Sequence, residues 1–178
     1  MADIQIKKLN EESLMDAVKL KAHCWQEELN GKVEHHVDVM ENYQSLLNWM
    51  HTEKEDHDKR TLLGAFVENV LVGAIFLSYA EENFGPKAIE LNGLWVDDHY
   101  RGQQISLNML HEGLAYYQDE RERLIVYTHR FAPSRGYYLS LGGTIIDTEM
   151  QLEGRLIVDI FSFTCEDLMN RIRVKLNT

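Results

Sequence analysis

The stretch LWVDDHYRGQQISLNML, residues 94–110, passes from an apolar, strand-like run through an Arg-Gly pair into a run with helical spacing. Small and polar residues at such a turn leave main-chain N–H groups without partners, and the first amides of a helix, aided by its dipole, attract phosphate. Arg101, Gly102, Gln103, Gln104, Ile105 and Ser106 are therefore candidates for an anion site. Other residue types that carry chemistry are less well placed. His35 and His36 are adjacent and would point apart on a helix, and HEGLA at 111–115 lacks the second histidine of a zinc-binding helix. His99 and His129 are expected at the surface or at caps, so no metal is expected. Cys24 and Cys165 stand far apart without C-x-x-C spacing, which argues against a disulfide framework and fits a reducing, cytoplasmic setting.

The elements that must hold the turn follow from periodicity. DIQIKKL alternates and reads as a strand. Asn10 can cap a helix with Leu14, Val18, Ala22, Trp25 and Leu29 at helical spacing, ended by Gly31. A second helix is suggested by Val37, Met40, Tyr43, Leu47 and Met50, with the charged run HTEKEDHDK as a solvated loop after it. TLLGAFVENVLVGAIFLSY reads as two strands turning at Glu68-Asn69. AIELNGLWV is a further strand, where strict alternation puts Glu90, Asn92 and Leu94 on one face and Leu91, Gly93 and Trp95 on the other. After the turn comes a helix with Leu107, Leu110, Leu114 and Tyr117 on one face. RLIVYT is a buried strand, APSRGYYLSLGG a short helix closed by Gly142 and Gly143, and TIIDTEMQL with LIVDIFSF a closing strand pair. The order β-α-α-β-β-β-α-β-α-β-β is that of a mixed α/β sheet flanked by helices.

The 178 residues, 44% of them hydrophobic, suffice for one core, so a single domain over residues 1–178 is expected. With 18 basic and 29 acidic residues the net charge is −11, which argues against nucleic acid as a partner and favours a cationic one. No window reaches the ~20 apolar residues of a membrane span and MADIQIKKLNEES has no apolar leader core, so a soluble protein without a membrane partner is expected.

The element order and VDDHYRGQQIS together resemble the GNAT superfamily of acyl-CoA-dependent N-acyltransferases, over most of the chain and most specifically between residues 88 and 143. The family's phosphate loop reads Arg/Gln-x-x-Gly-x-Gly/Ala. Here Arg101 takes the first position, Gln104 stands at the first glycine and Ser106 at the second. Gln104 either crowds the backbone away from phosphate or hydrogen-bonds a phosphate oxygen. The resemblance implies a mostly antiparallel sheet whose middle strands splay, letting the pantetheine arm lie along Leu94, Trp95 and Val96 with the Leu94 amide polarising the acyl carbonyl. It places a carboxylate at Glu90 to take the acceptor's proton. SRGYYLSLGG is similar to the family's Tyr-x-x-x-Gly-Phe, which makes Tyr138 the expected acid for the leaving thiolate, with Gly143 in place of the aromatic. Phe131 and Ser134 stand at the positions of the family's Asn-x-x-Ala. In the family the first two helices often wall the acceptor pocket, a segment that here carries Trp25, Glu27, Glu28, Glu34, His35, Tyr43 and Trp49, but Trp25 and Trp49 sit on apolar helical faces and read as core, and the glutamates as solvated. The implied activity is transfer of an acetyl group from acetyl-CoA to a primary amine, of a small molecule of polyamine, amino sugar or amino acid type. A protein or peptide amine, or a non-catalytic acyl-CoA-binding module, are the alternatives. Family members commonly pair as homodimers, and the late strands 144–163 offer edges for that.

Overall fold

The computed structural model describes residues 3–118 and 120–178. Its strands are β1 (Ile4–Lys8), β2 (Thr61–Val67), β3 (Val70–Tyr79), β4 (Ala88–Val96), β5 (Arg123–His129), β6 (Thr144–Gln151) and β7 (Leu156–Thr164). They form one sheet in the order β1-β2-β3-β4-β5-β7-β6, antiparallel throughout except between β4 and β5. The helices are α1 (Glu11–Leu29), α2 (Val39–His51), α3 (Ile105–Ala115), α4 (Ser134–Ser140) and α5 (Cys165–Leu176). The mixed sheet flanked by helices agrees with the expected class.

Local chemistry accounts for the boundaries. Asn10 Oδ1 accepts from the Ser13 amide at 2.8 Å while Ser13 Oγ accepts from the Asn10 amide at 2.9 Å, a reciprocal cap on α1. Glu68 and Asn69 both take positive φ, 49° and 66°, the twist a two-residue hairpin between β2 and β3 needs. All of β2 is buried, since it lies between helices on both faces of the sheet. On one face α3, α4 and α5 pack over Leu63, Ile75, Leu77, Leu91 and Val126 through Leu110, Leu114, Tyr138 and Ile172. On the other, Leu14 and Ala17 of α1 meet Phe66, Phe76 and Ala74, with Trp49 and Trp95 at the margin.

Four readings of the sequence are corrected. The chain does not close on a strand pair, because α5 follows β7 and buries Leu168, Met169 and Ile172. α2 begins only at Val39, capped by Asp38, and Met40 points outward at 57% exposure. His35 and His36 lie between the first two helices, not on one. Finally, alternation along β4 is broken. Leu91 pairs with Leu77 and Gly93 with Phe76, which leaves Asn92 as an extra residue in a β-bulge. Leu94 consequently joins Leu91 on the α3 face, and Trp95 packs on Phe76 on the α1 face. Gly93 has no side chain because the Trp95 ring lies over it, 1.9 Å from where a Cβ would stand.

The parallel pairing of β4 with β5 runs only from Ala88 opposite Arg123 to Leu91 opposite Val126. Beyond that point β5 stays with β7 as far as His129, and the two middle strands part.

Candidate active site

Backbone direction shows what the gap between β4 and β5 exposes. The Asp97 amide donates to the Val72 carbonyl of β3 at 2.8 Å. Since successive residues of a strand alternate in direction, the Trp95 amide also faces β3, while those of Leu94 and Val96 face the gap where β5 has left. The Val96 carbonyl, on the same side, accepts from Arg101 Nε at 3.1 Å, and Arg101 Nη2 continues to Glu27 Oε1 of α1 at 3.1 Å. Arg101 thus braces the end of β4 against α1.

After a 3₁₀ turn at Asp98–Tyr100 the chain reaches α3 through alternating backbone hands, with Gly102 at φ 78° and Gln104 at φ 63°, ψ 17°. Such alternation turns successive amides to one side. Among the described residues, the amides of Arg101 to Ser106 donate to no protein group. This is the donor set that a pyrophosphate requires at a helix N-terminus. Gln104 stands in the left-handed region that glycine adopts freely, and its side-chain amide donates to the Lys175 carbonyl at the end of α5, 3.1 Å away.

Leu94, Val96, Arg101, Gly102, Gln104, Ile105, Ser106 and Tyr138 line one cavity of about 190 Å³. Trp95 lines a second of about 530 Å³, which shares Leu94, Val96, Arg101 and Ser134 with the first and is walled by Glu27, Glu28 and Phe131. Gln103 and Glu90 line neither. α4 is held at the gap by Asp159, which is buried and pairs with Arg130 and Arg135, and by Thr128 Oγ1 against Ser134 Oγ at 2.9 Å.

A family model described as Acetyltransferase (GNAT) family matches residues 18–142. The chain belongs to the GNAT acetyltransferase family. No curated protein matches the sequence. Among solved structures, the PaiA N-acetyltransferase from Thermoplasma acidophilum in complex with coenzyme A is similar at TM-score 0.73 and 22% identity, covering 91% of this chain and 99% of that one. An N-acetyltransferase from Staphylococcus aureus Mu50 gives 0.67 and 13% over 92% and 99%. The ribosomal-protein-alanine N-acetyltransferase from Brucella melitensis gives 0.65 and 20% over 90% and 99%. These likenesses establish the GNAT fold, and family membership makes acetyl-CoA the donor.

For this GNAT protein the other half of the site is acidic. Glu90 lies on the α1 face of the sheet, and the Asn92 amide, with its nitrogen toward the carboxylate, donates to Glu90 Oε2 at 2.6 Å and accepts from Ser78 Oγ at 2.8 Å. Burial, then the neighbouring Glu81, Asp58 and Glu149, push the Glu90 carboxyl up to about 7. The Asn92 bond favours the charged form and opposes that rise. Burial and then Glu90, Glu81, Glu149 and Asp147 push the Tyr127 phenol up to about 12. Tyr138 packs its ring on Phe161 and Phe163 and is 5% exposed, and burial raises its phenol well above the usual range. His129, expected at the surface, is buried as the last residue of β5 with Nε2 2.7 Å from Glu28 Oε2. Sequence reasoning gave no role to Tyr137, which lines the first cavity, or to Asn92 and Tyr127, which neighbour Glu90. For Asn92 the available signal was a polar residue two positions after Glu90.

Proposed function

We propose that residues 1–178 form one catalytic domain that moves an acetyl group from acetyl-CoA to a primary amine of a small molecule of polyamine, amino sugar or amino acid type. The observation that carries this reading is the gap beyond Leu91 and Val126, where the Leu94 and Val96 amides lose a strand partner beside the free amides of Arg101 to Ser106, with Glu90 one residue before the strands part. The amides of Arg101 to Ser106 would hold the pyrophosphate, and the Leu94 and Val96 amides would meet the acyl arm. Because the Leu94 amide is fixed in the strand, it can stabilise the tetrahedral oxyanion without reorganising.

An alkyl ammonium titrates near ~10.4 and attacks only once deprotonated, so a base is needed. Glu90, raised to about 7, is far better matched to that task than an ordinary carboxyl, and reaches the amine through water because it lines neither cavity. Tyr138 serves as hydrogen-bond donor to the developing thiolate. Full transfer of its proton is uphill, since a thiol titrates near ~8.5 and burial has weakened this phenol as an acid. The small-molecule acceptor is supported by the size of the second cavity, roughly 530 Å³, which suits a compact amine; its glutamates Glu27 and Glu28 stand beside Arg101 and Lys32, so volume and not net charge favours that acceptor.

The test is calorimetric titration with acetyl-CoA, then a thiol-release assay across polyamines, amino sugars, amino acids and a peptide with a free N-terminus. Fastest release with a polyamine, an amino sugar or an amino acid supports the reading, and release with the peptide alone overturns the acceptor class. Binding without any release makes the chain an acyl-CoA-binding module.

A further inference from the structure

Tyr137 has no part in the chemistry above. Its ring packs against that of Tyr138 with centroids 5.3 Å apart, and it lines the cavity of about 190 Å³. Its hydroxyl is sealed from solvent and has no hydrogen-bond partner. A buried phenol in that state has given up its bonds to water for nothing in return, which makes it a group that a bound molecule can complete. Ser106 is the polar neighbour: it acts on the phenol closely enough to favour ionisation against the stronger effect of burial, yet outside hydrogen-bond geometry. Ser106 belongs to the first turn of α3, among the free amides, and it brings a hydroxyl to a place where the family motif has glycine or alanine. Two hydroxyls from different helices therefore stand at the anion end of the cavity. Tyr137 and Tyr138 are consecutive on α4, so a rotation of about 100° separates the directions of their side chains and one cannot replace the other.

We propose that the Tyr137 hydroxyl, beside Ser106, donates a hydrogen bond to a pyrophosphate oxygen of coenzyme A. The inference rests on the turn being the coenzyme A site. A phenol O–H suits this partner because an anionic oxygen accepts without competing as a donor, and a charge-assisted bond outweighs a neutral one.

Calorimetry on Tyr137→Phe and Ser106→Ala, with coenzyme A, 4′-phosphopantetheine and pantetheine as ligands, tests it. Tyr137→Phe should weaken coenzyme A and 4′-phosphopantetheine about tenfold, leave pantetheine unchanged and not lower the Tm, since the unpartnered group is removed. Ser106→Ala should produce a smaller loss of the same pattern, which keeps the idea testable if the tyrosine variant folds poorly. An unchanged Kd for coenzyme A in Tyr137→Phe, or an equal loss with pantetheine, overturns the assignment. Wild-type protein that binds no coenzyme A would instead remove the reading of the turn, and this inference with it.

Discussion

The two sides of the gap between β4 and β5 draw on one strand yet carry opposite chemistry. On the α3 side the charges are partial and positive, from the Leu94 and Val96 amides and the row from Arg101 to Ser106. Around Glu90, on the α1 side, they are whole and negative, from Glu81, Asp58 and Glu149, while farther along the strand Arg101 pairs with Glu27. A net charge of −11 therefore describes neither side. On the reading proposed above, fixed backbone dipoles offset the surplus of carboxylates where the anion enters, while the carboxylates around Glu90 lie toward the ammonium.

Substitutions that touch one side only can break or sharpen this contrast. Glu90→Gln should lower kcat/KM by about 10²–10⁴-fold and leave the calorimetric Kd for coenzyme A unchanged; a parallel loss of binding would show that the sides are not separate. Tyr138→Phe should slow turnover on the order of tenfold at unaltered coenzyme A affinity, the effect of one hydrogen bond to a developing charge. The acid limb of the kcat/KM profile should lie near 7, because Glu90 must be ionised to act, and Asn92→Ala should move it upward by roughly half a unit by removing the bond that favours the carboxylate. Glu90 also leaves a mark on stability. The folded protein keeps its proton to about pH 7 while the unfolded chain releases it near 4.5, so the folded state loses stability between those values, and Glu90→Gln should raise the Tm at pH 8 but scarcely at pH 5. Smallest of all, Gln104→Gly should move the Tm only slightly in a thermal melt: relief of left-handed strain, roughly 1–2 kcal/mol, is offset by loss of the bond to Lys175, about 0.5–1.5 kcal/mol.

Periodicity disclosed the hairpin at Glu68-Asn69, the Asn10 cap and the strand-turn-helix around Gly102, because each is decided by neighbours in sequence. α5 was missed although Leu168, Met169 and Ile172 have helical spacing, since its charged residues dilute a pattern that acidic Glu166 and Asp167 at its start and basic Arg173 and Lys175 at its end in fact reinforce. The burial of His129 was not readable at all, because Glu28 meets it only once α1 has crossed the sheet. The same holds for Tyr137 and Tyr138, whose different surroundings are set by packing against Ser106 in one case and Phe161 and Phe163 in the other.

The bulge at Asn92 gives β4 an uneven tolerance to length. A four-residue step ordinarily returns a strand to the face it left, whereas here Glu90 and Leu94 end on opposite faces because one residue sits outside the ladder. Deleting that residue would join the flanking segments into an uninterrupted ladder with both outlooks preserved, so the architecture can spare the very position that contacts Glu90, and a shortened protein could fold normally while its proton chemistry shifts.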